Sequence, residues 1–114
     1  MEKTRSLKKN EMFLRVYKKG RRVHHKYFVL HFYPNGADFC RLGIKVGKKI
    51  AGAVGRNRIK RLLREAFRLN IGTSVKGYDI VIVAKEGADN IVGLREVSDA
   101  LTLLFSRAKL SQGK

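Results

Sequence analysis

Residues 55–67 form the stretch Gly-Arg-Asn-Arg-Ile-Lys-Arg-Leu-Leu-Arg-Glu-Ala-Phe, which decides much of how this chain can fold. Its apolar residues recur every three or four positions, as they do along one face of an amphipathic α-helix. These residues are Ile59, Leu62, Leu63, Ala66 and Phe67. The spacing predicts a helix from Ala53 to about Asn70, with an apolar face that packs against the rest of the domain.

The other side of this predicted helix is cationic. Positions 56–68 hold five arginines and one lysine against a single acid, Glu65. Like charges one helical turn apart disfavour an isolated helix, which indicates that an anion neutralises this face. Guanidinium groups pair bidentately with phosphate and stack on bases, and an asparagine can bind a base edge or a sugar hydroxyl. The candidate nucleic-acid-binding residues are Arg56, Asn57, Arg58, Lys60, Arg61, Arg64 and Arg68.

Two alternatives to this interpretation are a solvated helix face and a DNA-reading helix. A solvated face is held by ion pairs along the helix, and Glu65 is the one acid of the segment that could supply them. The charge pattern alone does not separate RNA from DNA. A helix-turn-helix motif needs a partner helix and a short turn before its recognition helix. Here the loop 47–52 and a predicted strand come before the basic helix, which weighs against that motif.

Charge is spread unevenly over the whole chain. The formal net charge is +17, from 26 Lys and Arg residues against 9 Asp and Glu residues. Residues 1–68 hold 20 of the basic and 4 of the acidic side chains, and residues 69–114 hold 6 and 5. Charge that only keeps a protein in solution would be distributed evenly. The gradient therefore predicts a polyanionic partner, and nucleic acid is the usual one.

Length and composition set limits on the class of protein. A chain of 114 residues fits a single domain over 1–114, with one modest core. No apolar run approaches the roughly 18 residues of a membrane span, and the N-terminus does not have the pattern of a secretory signal. Cys40 is the sole cysteine, so no internal disulfide is possible, and one Cys with three His at these spacings predicts no zinc site. We expect a cytoplasmic protein without a membrane partner.

Six further segments complete the predicted organisation. They are a flexible basic tail over 1–9, a helix over 10–19, strands over 26–33, 38–46 and 78–84, and a helix over 94–108. Residues 38–46 are predicted to return beside 26–33 across the turn at 34–36. The strand 78–84 is apolar on both faces after its start, which predicts a central strand covered on both sides. This order of helices and strands predicts an α+β sandwich.

The first predicted helix and the first predicted strand offer a second candidate site. Phe13 and Tyr17 lie one turn apart on the same helix face, so their rings can form a stacking platform for unpaired bases. Core packing of this aromatic pair is the alternative, and the spacing alone does not decide between the two. Val29 and His31 share the strand face for which the sequence shows no obvious apolar cover.

Several parts of the chain closely resemble the protein subunit of bacterial ribonuclease P. Residues 55–67 resemble the Arg-Asn-Arg motif of that family. The other resembling segments are 7–13 and 16–20 in its opening helix, 28–30 and 41–49 in its paired strands, and 79–84 in its last strand. These motifs occur in the order of the family, and the resemblance covers about residues 5–108.

The resemblance implies a specific fold and a specific function. The fold is α+β, a single-domain α-β-β-β-α-β-α sandwich with a left-handed β-α-β crossover, of the ribosomal-protein-S5-domain-2-like type. The function is that of the protein component of the ribonuclease P ribonucleoprotein, an endoribonuclease that matures the 5′ ends of tRNA. Its catalytic groups are in the RNA, which also binds most of the Mg²⁺. The implied partners of a monomeric protein chain are ribonuclease P RNA and precursor tRNA.

The resemblance also assigns roles to residues. In the family the motif helix docks on the catalytic RNA, which here implies the candidate set already named on positions 56–68. The family's cleft between the first helix and the sheet takes the single-stranded 5′ leader of precursor tRNA. The matching leader-binding positions are Phe13, Tyr17, Val29, His31, Lys45, Lys48 and Lys49. The resemblance implies neither a catalytic residue nor a metal ligand on the protein.

Two other functions stay open at this point. A structural RNA-binding protein with no substrate cleft would bury both Phe13 and Tyr17. A protein-only nuclease would use His24 and His25 for acid–base chemistry. Neighbouring residues of a strand point to opposite faces, however, and the scattered acids predict no carboxylate cluster for two metal ions.

Overall fold

A mixed β-sheet with helices on both faces organises the computed structural model, which describes residues 4–72 and 75–110. The strands are β1 (Arg5–Ser6), β2 (Arg21–His24), β3 (Phe28–Pro34), β4 (Arg41–Lys45) and β5 (Tyr78–Ala84). The helices are α1 (Asn10–Lys19), α2 (Ala53–Asn70) and α3 (Leu94–Ala108), and a short 3-10 helix spans Ala88–Asn90. The predicted α+β class is confirmed, and from α1 onward the chain follows the order that the resemblance implies.

β5 lies at the centre of the sheet, whose strand order is β1-β4-β5-β3-β2. It runs parallel to β4 on one side and antiparallel to β3 on the other. Ile80, Val81 and Ile82 have no exposed surface, so β5 is buried on both faces. The prediction of a central strand, made from an unbroken apolar run, is confirmed.

The predicted pairing of the two strands that flank the turn at 34–36 is wrong. Leu30 of β3 pairs with Ile82 of β5, and Ile44 of β4 pairs with the same residue from the other side. β5 separates β3 from β4 because its side chains are apolar on both faces and gain most from a central position. The turn itself was predicted correctly, since Gly36 adopts a φ of 73° there.

The predicted flexible tail over 1–9 is wrong for residues 5–7. The two residues of β1 pair in parallel with the start of β4, and the next residue, Leu7, is only 5% exposed. A two-residue strand is too short to show alternation, so periodicity could not predict it. Residues 1–3 of the predicted tail lie outside the described residues.

α2 connects the parallel strands β4 and β5, which are neighbours in the sheet. This is the β-α-β unit that the resemblance implies, and its left-handed sense stays a prediction. The loop 46–52 leads directly from the end of β4 to the first residue of α2. The unit therefore places the basic helix beside the end of β4 that carries Lys45.

Two apolar clusters hold the helices against the sheet. The larger cluster packs α2 and α3 on one sheet face and includes Phe28, Leu30 and Phe32, which were predicted to share a face. The smaller cluster packs α1 on the other face, and its buried members are Leu7, Phe13, Val16 and Val81. A fully buried apolar side chain contributes roughly 1.5–3 kcal/mol. α1 is thus held by fewer such contributions than the other two helices.

A buried carboxylate fixes the start of β5 to its neighbours. Asp79 is 1% exposed and accepts hydrogen bonds from Arg41 Nε at 2.7 Å and Nη2 at 3.2 Å. The side-chain amide of Asn35 donates a third bond to Asp79 at 3.1 Å. Removal of either cationic or amide partner would leave a buried charge incompletely paired. The cluster therefore ties β4 and the turn after β3 to the first residues of β5.

We expect the substitution Gly43→Val to destabilise the fold by about 1–3 kcal/mol, the usual cost of overpacking. A Cβ atom at Gly43 would lie 2.5 Å from two atoms of the Phe13 ring and 3.3 Å from Leu7 Cβ. The ring has little room to move, because Phe13 is 8% exposed. Urea unfolding measures the change. Gly47→Val is the matched control, since no atom lies within 4 Å of a Cβ placed there; equal stability of the two variants would contradict the prediction.

Candidate RNA-binding surfaces

α2 presents cationic residues to solvent because its apolar stripe is buried. The buried residues are Ile59, Leu63, Ala66 and Phe67, which belong to the larger cluster. The exposed candidates are Asn57, Arg61, Arg64 and Arg68, and the half-buried ones are Arg56, Arg58 and Lys60. The prediction of an amphipathic basic helix is confirmed, and four of its seven candidate residues face solvent.

The exposed cations of α2 differ in whether they already have a partner. Arg61 and Arg64 make no hydrogen bond or ion pair with any other residue in the ranges 4–72 and 75–110. Arg68 donates to both carboxylate oxygens of Glu65, at 3.2 and 2.6 Å. These hydrogen bonds lower the pKa of the Glu65 carboxyl. The pair is exposed to solvent and therefore weak, so an RNA phosphate can replace Glu65 as the partner of Arg68.

Arg58 is held by the protein itself. Its Nη2 donates to the backbone oxygens of Ile91 at 2.6 Å and Val92 at 2.7 Å, in the segment before α3. Arg56 also donates within the protein, from Nη1 to the oxygen of Ala51 at 2.9 Å. Arg58 was predicted as an RNA contact, but its guanidinium joins α2 to the start of α3. Helical spacing could not reveal this, because the two carbonyls come more than 30 residues later in the chain.

The second candidate surface is a groove beside α1 on the other face of the sheet. Phe13 packs against Gly43, and the Lys45 ammonium lies 4.5 Å from the centroid of the Phe13 ring. An ammonium at this distance is attracted by the face of the ring. Phe13 is 8% exposed and Lys45 is exposed, so at this end the groove has a buried aromatic wall covered by a cation.

The other end of the groove holds the two rings of Tyr17 and His31. Their centroids are 4.9 Å apart at an angle of 73°, an edge-to-face contact, and Tyr17 is 36% exposed. Burial lowers the pKa of His31 below its ordinary value, and the charges of Arg22 and His24 lower it further. Burial also raises the pKa of the Tyr17 hydroxyl. Both rings are therefore uncharged at neutral pH, which suits contact with a base.

The floor of the groove is formed by one row of side chains across the sheet. Val83 of β5 pairs with Val29 of β3 on one side and with Lys45 of β4 on the other. Both valines are half-buried, so apolar surface remains accessible between the cation and the aromatic rings. Lys48 and Lys49 are exposed in the turn that follows β4. The structure thus brings five of the seven leader-binding candidates together and places the remaining two on the adjoining loop.

Some residues that build the groove were missed at the level of sequence. Leu7 and Gly43 support Phe13 from below, and Val83 completes the floor. The glycine carried a usable signal, because a glycine within a strand pattern often marks a close approach of another group. Leu7 carried none, since it stands alone between polar and basic neighbours.

Comparison with known proteins supports one family. A family model described as Ribonuclease P matches residues 1–109. The chain is 38% identical over 110 residues to the ribonuclease P protein component of Clostridioides difficile, which covers 96% of both chains. The solved Staphylococcus aureus RNase P protein has a TM-score of 0.87 at 35% identity, over 96% of this chain and 100% of that one. The Thermotoga maritima RNase P protein gives 0.81 at 37% identity, over 90% and 96%.

The chain belongs to the Ribonuclease P family. It is therefore the protein component of a ribonucleoprotein endoribonuclease that processes the 5′ ends of tRNA, and its partner is RNA. The family fold is also shared, as the two structural comparisons show.

Burial separates the two aromatic residues on which a rival function depended. A protein with no substrate cleft would bury both rings, and Phe13 meets that expectation whereas Tyr17 does not. The histidines of the nuclease alternative lie outside the groove floor or are engaged elsewhere. His25 Nδ1 accepts a hydrogen bond from the Tyr27 backbone N–H at 3.0 Å, and burial lowers the pKa of the His25 ring. Only His24 of that pair is exposed.

Metal binding and membrane insertion were both searched for within the described residues. No group of three or more His, Cys, Asp or Glu side chains there is arranged to hold a metal ion. No helix in that part of the chain is long and apolar enough to cross a membrane. The assignment of Mg²⁺ to the RNA subunit stays a prediction from the resemblance.

We expect Arg58→Ala to lower the free energy of unfolding by about 1–3 kcal/mol, the usual range for a lost charged hydrogen bond. The loss would arise because the oxygens of Ile91 and Val92 both accept from Arg58. Arg61→Ala on the same helix is the matched control, since that side chain has no partner among the described residues. Thermal and urea unfolding of the free protein measure both variants. A larger loss from Arg61→Ala would contradict this assignment.

Proposed function

We propose that the chain uses two separate surfaces in the ribonucleoprotein. The exposed face of α2 binds the catalytic RNA, and the groove beside α1 binds the single-stranded 5′ leader of precursor tRNA. The observation that carries the proposal is the presence of unpaired arginines on one side of the sheet and an open aromatic groove on the other. A protein with both surfaces can hold enzyme RNA and substrate RNA at the same time.

The face of α2 suits a folded RNA backbone. Arg61 and Arg64 lie three positions apart and are exposed, with Asn57 one turn before Arg61. Their guanidinium groups can pair bidentately with phosphate oxygens that lie along one side of an RNA helix. Asn57 adds both a donor and an acceptor for a ribose 2′-hydroxyl or a base edge. Lys60 and Arg68 extend the cationic surface, while Arg58 positions the helix rather than the RNA.

The groove suits an unpaired strand. Tyr17 offers partly exposed ring surface beside an uncharged His31, and a base can stack there without regard to its identity. Val29 supplies apolar surface on the floor. Lys45 and the following lysines at 48 and 49 supply positive charge for phosphates at the end nearest α2. Phe13 contributes as the buried wall that fixes the position of Lys45.

The protein positions RNA and does no bond-breaking of its own in this proposal. Mg²⁺ supplies the hydrolytic chemistry when it is bound by the catalytic RNA. The residues of the chain orient the leader, through the groove, relative to the RNA held on α2. We also expect the protein to act as a monomer in the cytoplasm.

We expect the double variant Arg61→Ala/Arg64→Ala to bind ribonuclease P RNA more weakly and with a flatter salt dependence. Each lost phosphate contact lowers the slope of log affinity against log salt by roughly one unit, so the double variant should lose about two. Filter binding over a range of salt concentrations measures the slope. Arg95→Ala on α3 serves as the control, because it removes an exposed arginine far along the chain from α2. An unchanged slope would exclude this face from the RNA interface.

We expect Tyr17→Ala to weaken binding of precursor tRNA by about 5- to 100-fold, from the loss of one stacking contact, with little effect on mature tRNA. Affinities for both substrates are measured with the protein assembled on ribonuclease P RNA. Leu14→Ala is the matched control, since it removes another exposed side chain of α1. Equal losses for precursor and mature tRNA would mean that Tyr17 does not contact the leader.

A further inference from the structure

A cavity of about 140 Å³ lies at the rim of the sheet, outside both surfaces described above. It opens where α1 ends and β2 begins, beside the last residue of β3 and the first of β5. The residues that shape it are Lys19, Gly20, Arg21, Phe32, Pro34 and Tyr78. None of them belongs to the groove or to the cationic face of α2.

The walls of the cavity follow from a close contact between α1 and β3. A Cβ atom at Gly20 would lie 2.5 Å from the backbone oxygens of both Phe32 and Val16, so only glycine lets the chain turn here. Phe32 forms the floor, and the Tyr78 ring meets it edge-on, with centroids 6.1 Å apart at 67°. Tyr78 is half-buried and Pro34 is exposed, so apolar surface lines the opening.

The charged groups of the cavity are both cations. The Arg21 guanidinium carbon lies 5.5 Å from the centroid of the Phe32 ring, which holds this cation above the apolar floor. Neither Arg21 nor Lys19 has a hydrogen bond or an ion pair with another residue of the described chain. A flat apolar pocket under two unpaired cations is complementary to a planar ring that carries a phosphate.

The cavity also lies on a continuation of the groove. Tyr17, at one end of the groove, precedes Lys19 by two residues on α1. His31, at the same end, is three residues from Pro34 on β3, or roughly 10 Å along a strand. The opposite end of the groove, at Lys45, adjoins α2. A leader that runs away from the catalytic RNA would therefore leave the groove at Tyr17 and reach the rim at Gly20.

We propose that the rim cavity binds one unpaired nucleotide of the 5′ leader, farther from the cleavage site than the nucleotides in the groove. The base lies on Phe32, Pro34 and Tyr78, and its phosphate pairs with Arg21 and Lys19. The inference rests on the proposed function of the groove, because it takes the same strand as the occupant. It gives the protein a means to respond to leader length.

The test uses the protein assembled on ribonuclease P RNA and precursor tRNAs whose leaders are lengthened one nucleotide at a time. For the unchanged protein, affinity should rise in a further step once the leader is long enough to reach the rim. Arg21→Ala should abolish that step, with about a fivefold loss for long leaders and none for short ones. Tyr78→Leu, which keeps an apolar side chain but removes the ring, should reduce the same step. Arg95→Ala is the control for loss of an exposed arginine.

The outcomes separate this inference from the proposed function. If Tyr17→Ala weakens binding at every leader length and Arg21→Ala at none, the groove binds the leader and the rim cavity does not. If Arg21→Ala weakens binding equally with and without a leader, the cavity contacts another RNA and the inference is wrong. If Tyr17→Ala also has no effect, the leader does not use this side of the sheet at all.

Discussion

The burial of β5 on both faces is the constraint on which the rest of the structure depends. Ile80 and Ile82 require a cover on one side of the sheet, and α2 and α3 supply it. Val81 requires a cover on the other side, and α1 supplies it with Phe13 and Val16. Because α2 must turn its apolar stripe inward, its arginines face outward. Because α1 covers only part of its face, a groove remains beside it.

The elements with strong periodicity could be predicted from the sequence, and those that depend on distant partners could not. The apolar spacing of α2 and the unbroken apolar run of β5 gave both elements correctly. The separation of β3 from β4 depends on β5, which enters the sheet more than thirty residues later in the chain. β1 is held by pairing with β4 rather than by any pattern of its own.

The same limit applies to the candidate sites. Helical spacing identified the cationic face of α2 but could not separate Arg58 from Arg61. The difference lies in the carbonyls of Ile91 and Val92, which belong to a segment that spacing on α2 does not address. On α1, the aromatic pair was found, but only the approach of Gly43 explains why Phe13 is buried while Tyr17 stays accessible. Residue type suggested the chemistry, and tertiary contacts decided which residues are available for it.

The unpaired arginines on α2 also connect the stability of the free protein to its assembly. Arg61 and Arg64 stand near other cations with no carboxylate to offset them, so the isolated fold carries their mutual repulsion. A ligand that binds only the folded state stabilises it in proportion to its concentration relative to its dissociation constant. RNA that neutralises this face would do so twice over, by binding and by removing the repulsion. Protein not assembled on RNA is then the less stable form, and folding and assembly reinforce each other.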